Sequence, residues 1–331
     1  MPIERMGMVK TRYEAGKRVL ITLLVEFTDP QGKAVAEAEM RYFLHARRLT
    51  KDKVGGNERK IDPSQQFKAS ARMIAGLRAK NDRKQTGSAQ QYDELAAGPH
   101  GTVLAESLSD PLPQLHQIVS PKTAHVDNLL VQSRMFRQVV LLGAGLDLRP
   151  FRLAGLIRPM TFFEIDLPTM LQERRLVMSN FEERVPVSGC MLAADFKTDN
   201  VGHVSMKCPD FDPTKPTMVI YEGCSMYFKE EQNTTLLTSV GSVLRNRSSV
   251  IWADMVTQAV VDGTAHNSAI AEFLDKMHQM GETFVFGCDE PVQFLRRCGF
   301  GHGNVVSAKE YLKSGDPTLS SYQFVVSRTD S

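Results

Sequence analysis

The chain has 331 residues, of which 42% are hydrophobic and 24% charged, the mix of a globular protein with a substantial core. A formal net charge of +2 gives no global case for binding nucleic acid or an acidic membrane. The five cysteines (Cys190, Cys208, Cys224, Cys288 and Cys298) form no C-x-x-C pair and share no ligand spacing with histidine, so free thiols in a reducing compartment are expected and no metal site is indicated.

In chain order, Val19–Phe27 (VLITLLVEF) is strand-like and about half the length of a membrane span. It contains Glu26 and leads into TDPQG, which is turn chemistry and not a small-residue cleavage site, so a cytoplasmic chain without a signal peptide is expected. Ala34–Leu49 alternates poorly and suggests a helix. Lys51–Gln66, with Gly-Gly, Pro and many charges, reads as a linker. Phe67–Lys80 has helical spacing of Ala, Met, Ile and Leu, and Gln85–Gly101 is polar and breaks at Gly-Pro. The basic stretch from Arg41 to Lys84 suits a solvated face.

From Arg137 onward the pattern becomes regular. Strands are expected at Gln138–Leu142, Met160–Ile165, Val187–Ala193, Thr217–Tyr221, Ser249–Ala253 and Tyr322–Val326, with a weaker one at Thr283–Phe286. Helical segments such as Thr169–Met178 and Glu230–Leu244 lie between them. Short apolar strands alternating with helices predict an α/β fold with a mostly parallel sheet covered on both faces.

At the first strand's end, QVVLLGAGLDLRPFRL (Gln138–Leu153) places Gly143 and Gly145 where a ligand can approach the backbone closely. A dinucleotide fingerprint would want a third glycine at Leu148. Its absence argues against a nicotinamide-dependent oxidoreductase, which remains an alternative. FFEIDLP ends the second strand with Asp166, about 20 residues on, where a ribose-binding carboxylate belongs. Asp166 could equally cap the next helix. Asp195 and Phe196 end the third strand in AADF, offering an acceptor and a ring face to adenine. Glu222 ends the fourth in YEGCSMYF. Tyr227, about one turn on, could face an acceptor or simply pack beneath the sheet edge.

These segments, in this order and spacing, resemble the leucine carboxyl methyltransferase family, which includes bacterial O-methyltransferases acting on polyketide-like and other small acids. The Leu-Asp-x-Arg after the glycines is the most specific element, and CDEPVQFLRRCGF (Cys288–Phe300) is similar to the family's late helix. The resemblance spans about Phe67 to Val326. It implies a Rossmann-like class I methyltransferase fold with seven strands, the last antiparallel, over 67–331, and leaves 1–66 as an N-terminal extension without a recognised role. It further implies S-adenosylmethionine as cofactor, with Gly143 and Gly145 at the turn, Asp166 at the ribose, Asp195 and Phe196 at adenine, and Glu222 nearby. Lys122, in VSPKTAHVDNLL, stands where the family has an arginine for the cofactor's carboxylate. Lysine keeps the charge and loses the bidentate fork.

The implied activity is O-methylation, with a carboxyl group of a small molecule or of a protein C-terminus as acceptor and a tRNA nucleoside as a further possibility. An ionised carboxylate needs no general base, and no catalytic residue stands out. A non-catalytic scaffold of the same fold is the rival from another class.

Overall fold

The computed structural model describes residues 3–14, 18–28, 34–45, 68–82, 89–180, 189–265 and 267–330. The chain divides into two compact units, Met1–Arg59 and Lys60–Ser331.

The first unit is a three-stranded antiparallel meander of β1 (Ile3–Glu14), β2 (Arg18–Thr28) and β3 (Ala34–His45). VLITLLVEF lies within β2, as its β-branched run predicts. The helix expected from Ala34 is a strand instead, paired with β2 from Thr28↔Ala34 to Arg18↔His45. The helix preference of its alanines and glutamates amounts to a few tenths of a kcal/mol per residue, and continuous cross-strand pairing outweighs it. The TDPQG turn beyond Thr28, the end of that segment at 46–49 and the linker at 51–66 lie outside the described residues.

In the second unit, α1 (Lys68–Asp82) packs against α2 (Ala89–Ser109) and α3 (Gln114–Gln132). The expected polar break is a kink within α2. Gly98 sits at φ 58°, a conformation open to glycine, and the helix resumes from Pro99. Arg72 donates to the Ala96 and Ala97 carbonyls at the kink (3.2 and 3.3 Å). The helix survives because a side chain from α1 serves the carbonyls that the kink leaves over.

The main sheet contains β4 (Gln138–Leu142), β5 (Thr161–Asp166), β6 (Gly189–Ala193), β7 (Thr217–Tyr221), β8 (Val250–Val256), β9 (His302–Ser307) and β10 (Tyr322–Arg328). Its order is β6-β5-β4-β7-β8-β10-β9. The strands from β6 to β8 are parallel, and β10 runs antiparallel to both neighbours. The order reverses between β5 and β7, on either side of β4, which places a crevice beyond the tip of β4.

The central strands are largely apolar because helices cover both faces. Val139, Leu141, Met218, Ile220 and Trp252 point into one core layer, whereas Val140, Leu142, Val219, Tyr221 and Ile251 point into the other. Helices α5 (Pro168–Met178) and α7 (Glu230–Val243) agree with their expected spans. CDEPVQFLRRCGF carries α10 (Pro291–Arg297), followed by the fully buried Phe300.

Two further expectations are corrected. Thr283–Phe286 joins no ladder; its Phe284 and Phe286 are apolar because they pack into core, not because they pair. The seventh strand is β9, HGNVVS, a largely exposed edge whose polar residues carry no apolar signal. The five thiols are also not all free: Cys190 on β6 is bonded to Cys208, while Cys224, Cys288 and Cys298 are free. The 18-residue separation hides this pair, which forms because the chain returns through α6 (Val201–Met206) to the side of β6. No described helix is long and apolar enough to cross a membrane.

Candidate functional site

The turn after β4 is held by its neighbour. The Gly143 and Ala144 amides donate to the Ile165 carbonyl at 2.9 and 3.2 Å. Gly143 lies at φ 71° and Gly145 at φ 47°. A Cβ on Gly143 would come within 2.2 Å of Cys224 Sγ, so this turn excludes a side chain sterically as well as conformationally.

Asp166 closes the turn from the tip of β5. One carboxylate oxygen accepts from the Gly145 amide and the other from the Leu167 amide, both at 2.7 Å. Helix α5 has no side-chain cap, so the capping alternative for Asp166 gives way to a tie across the crevice. Burial raises its carboxyl pKa, opposed by the two amides and by Arg174. Each oxygen retains a lone pair for a further donor. The other acid of this strand, Glu164, is taken up by a buried two-point pair with Arg174.

Asp195 and Phe196 follow the adjacent strand β6. Asp195 accepts from the Lys197 amide at 2.9 Å, and the Phe196 ring lies 6.0 Å from that of Phe228. On the other side of β4, Glu222 leaves β7 into a cluster of cations: Arg78 from α1 at 2.5 Å, Lys122 from α3 at 3.5 Å and Arg149 at 2.9 Å. Burial pushes the Glu222 carboxyl up, but the three cations outweigh it and hold the group well below its usual range. Lys122 also donates to Asp254 at 3.2 Å. Asp254, fully buried on β8, further accepts from the Gly223 amide (2.6 Å) and the Tyr322 hydroxyl (2.5 Å).

Arg149, at the start of the short helix α4 (Arg149–Arg152), is wholly buried and ion-paired with Asp127, Asp147 and Glu222. Arg152 makes a second pair with Asp127. The network ties α1, α3, α4 and the tips of β7 and β8 around one opening.

All eight predicted residues (Lys122, Gly143, Gly145, Asp166, Asp195, Phe196, Glu222 and Tyr227) line a single cavity of about 240 Å³ beyond the tip of β4. Tyr227 is half-buried against Phe284 and hydrogen-bonds Glu282; desolvation and then Glu282 raise its pKa well above the usual phenol value. Cys224 also lines the cavity, its thiol pushed up by burial and by Asp166 and Asp254.

The family model for leucine carboxyl methyltransferase matches residues 80–241, the stretch that carries the glycine turn and the three strand-end acids Asp166, Asp195 and Glu222. Over this stretch, just under half of its length, the chain is similar to the leucine carboxyl methyltransferase family. A relative from Mycolicibacterium vanbaalenii, named a putative S-adenosyl-L-methionine-dependent methyltransferase, is 30% identical over 44% of this chain and 48% of its own length. A relative of the same description from Streptomyces coelicolor is 34% identical over 36% of this chain and 39% of its own. The chain thus spans about half or less of these two curated relatives. Among solved structures, a putative methyltransferase from Thermobifida fusca superposes with a TM-score of 0.56 at 14% identity, covering 81% of this chain and 98% of that one. A DUF574 family protein from Streptomyces avermitilis gives 0.55 at 12% identity, covering 75% and 99%. These likenesses, with the strand order, establish the Rossmann-like class I methyltransferase fold.

Sequence reasoning passed over Arg78, Arg149, Asp254 and Tyr322, which belong to this network. Arg149 had a signal, since it is the arginine of the Leu-Asp-x-Arg element. Arg78 had none, being one basic residue among several on α1. Asp254 interrupts an otherwise apolar central strand, IWADM, and a charge there predicts a partner. At the departure, the Lys122 ammonium lies between Glu222 and Asp254, 3.5 and 3.2 Å away.

Proposed function

We propose that this chain is an S-adenosylmethionine-dependent O-methyltransferase. The observation that carries the reading is the convergence of Asp166, Asp195 and Glu222, from three different strands, on one cavity over a turn that excludes a Cβ. The donor set suits the cofactor's parts. The free lone pairs of Asp166 suit ribose hydroxyls, Asp195 and Phe196 suit the edge and face of adenine, and Arg78 and Lys122 suit an amino-acid carboxylate, with Glu222 beside them for its ammonium. When bound, the cofactor supplies a methyl group already activated by its sulfonium. The protein's share is then to orient the acceptor oxygen and exclude water.

The expectation of a carboxyl acceptor rests on the family resemblance alone. Calorimetric titration of the full chain with S-adenosylhomocysteine tests the cofactor reading. Saturable binding that weakens in Asp166→Asn supports it, and no heat at millimolar ligand refutes it.

A further inference from the structure

The cavity extends past the glycine turn, away from Asp195, into a lobe on the β7–β8 side of the sheet. Its walls include Leu115 and Ile118 from α3, Val260 from α8 (Gln258–Val261), Ile270 and Phe273 from α9 (Ser268–Gln279), and Phe284. Burying an ionised group against such walls is costly unless a partner of opposite charge meets it.

Among the described residues, the cations lining the cavity are Arg78, Lys122 and Lys197. Arg78 and Lys122 already lie against Glu222 and Asp254, and they are the cations assigned above to the cofactor's own carboxylate, so neither is left for an acceptor's. Lys197 is exposed and follows β6, on the opposite side of β4 from the lobe. The two tyrosines beside the lobe, Tyr227 half-buried and Tyr322 buried, have also committed their protons. Tyr227 donates to Glu282, and Tyr322 donates to Asp254 while receiving Lys122. Burial and these carboxylates hold both phenols well above their usual pKa, so each remains neutral with its oxygen available only to accept. The half-buried hydroxyls of Thr318 and Ser321 carry no charge.

A carboxylate placed here would offer only acceptors to tyrosine oxygens that themselves accept, close to the acids Glu282 and Asp254. A hydroxyl brings the missing donor and no charge. We infer that the acceptor lobe takes an apolar small molecule presenting a neutral hydroxyl, with the Tyr227 oxygen receiving its hydrogen bond. The inference rests on the O-methyltransferase reading for the word acceptor, but the lobe's selectivity can be measured apart from it.

The test compares 2-naphthol with 2-naphthoate, matched in shape and differing in charge and donor, by calorimetry at pH 7.5 on the full chain with and without S-adenosylhomocysteine. The naphthol is expected to bind at least about tenfold more tightly, the fold-change equivalent to 1.4 kcal/mol. Ile270→Trp and Leu115→Trp, each filling the lobe from a different helix, should abolish naphthol binding while leaving S-adenosylhomocysteine affinity within about twofold. A circular dichroism spectrum matching wild type identifies the folded variant to be read. Tyr227→Phe should lower naphthol affinity and leave naphthoate unchanged.

Naphthoate binding as tightly as naphthol, or no naphthol binding at its solubility limit, overturns the inference. S-adenosylhomocysteine failing to bind while naphthol still binds selectively would sink the cofactor reading and leave the lobe's selectivity standing.

Discussion

Replacing Arg149 by methionine isolates the electrostatic centre of the site. Arg149 is wholly buried and serves Asp127, Asp147 and Glu222. After the substitution Asp127 keeps Arg152, and Glu222 keeps Arg78 and Lys122. Asp147 has no other ion pair recorded among the described residues. One carboxylate therefore loses its direct ion pair, not three, while keeping the backbone amide of residue 149 and the more distant charges of Arg78 and Arg174, and the loss should fall near the low end for a broken buried pair, about 3 kcal/mol. Urea unfolding followed by circular dichroism at pH 7.5 reads this directly, with methionine filling most of the aliphatic space.

The pH dependence supplies an independent check. Asp127 and Glu222 are held below their ordinary values: burial pushes each up, and the cations overcome it. A depressed folded pKa contributes stability that is present above the unfolded value, about 4, and is lost as pH falls through the folded one. Arg149→Met removes part of that depression, so the gap between wild type and variant should be widest at neutral pH and narrow below about pH 4. A loss under about 1 kcal/mol would refute the assignment of Arg149 as a network centre, because an exposed pair is worth no more than that. A gap that stays constant into acid would refute the electrostatic account in favour of packing.

Three further outcomes follow from the geometry. Gly143→Ala forces a Cβ to 2.2 Å from Cys224 Sγ at φ 71°; adding Cys224→Ala should relieve the clash and leave only the backbone strain, about 1–2 kcal/mol in unfolding experiments. Asp166→Asn keeps the shape but cannot accept from both the Gly145 and Leu167 amides while serving a ligand, so S-adenosylhomocysteine affinity by calorimetry should fall about ten- to hundredfold, the worth of a hydrogen bond to a charged group. Gly98→Ala places a side chain at φ 58°, ψ −178° in the kink of α2, and should lower stability by about 1–3 kcal/mol in urea unfolding without altering ligand affinity.

The sheet was legible where burial is two-sided. A central parallel strand covered on both faces has few polar positions, so TMVIY and QVVLL stand out as mainly apolar runs and match β7 and β4 to the residue. Edges obey a different rule. β9 owes its place to backbone pairing with β10, and HGNVVS carries no apolar run to reveal it. Ala34–His45 shows the converse, local helix preference overridden by pairing with β2.

Read alone, the chain determined its central strands, its glycine turn and the acids that end successive strands, because each is written in a few adjacent residues. Tertiary structure alone decided that Arg78, Lys122 and Arg149 converge on Glu222 from three helices, that Cys190 meets Cys208, and that an apolar lobe opens beside the turn. Such features depend on distances between segments far apart in the chain, 144 residues for Arg78 and Glu222, and a partner's charge leaves no mark on the local pattern of the residue it neutralises.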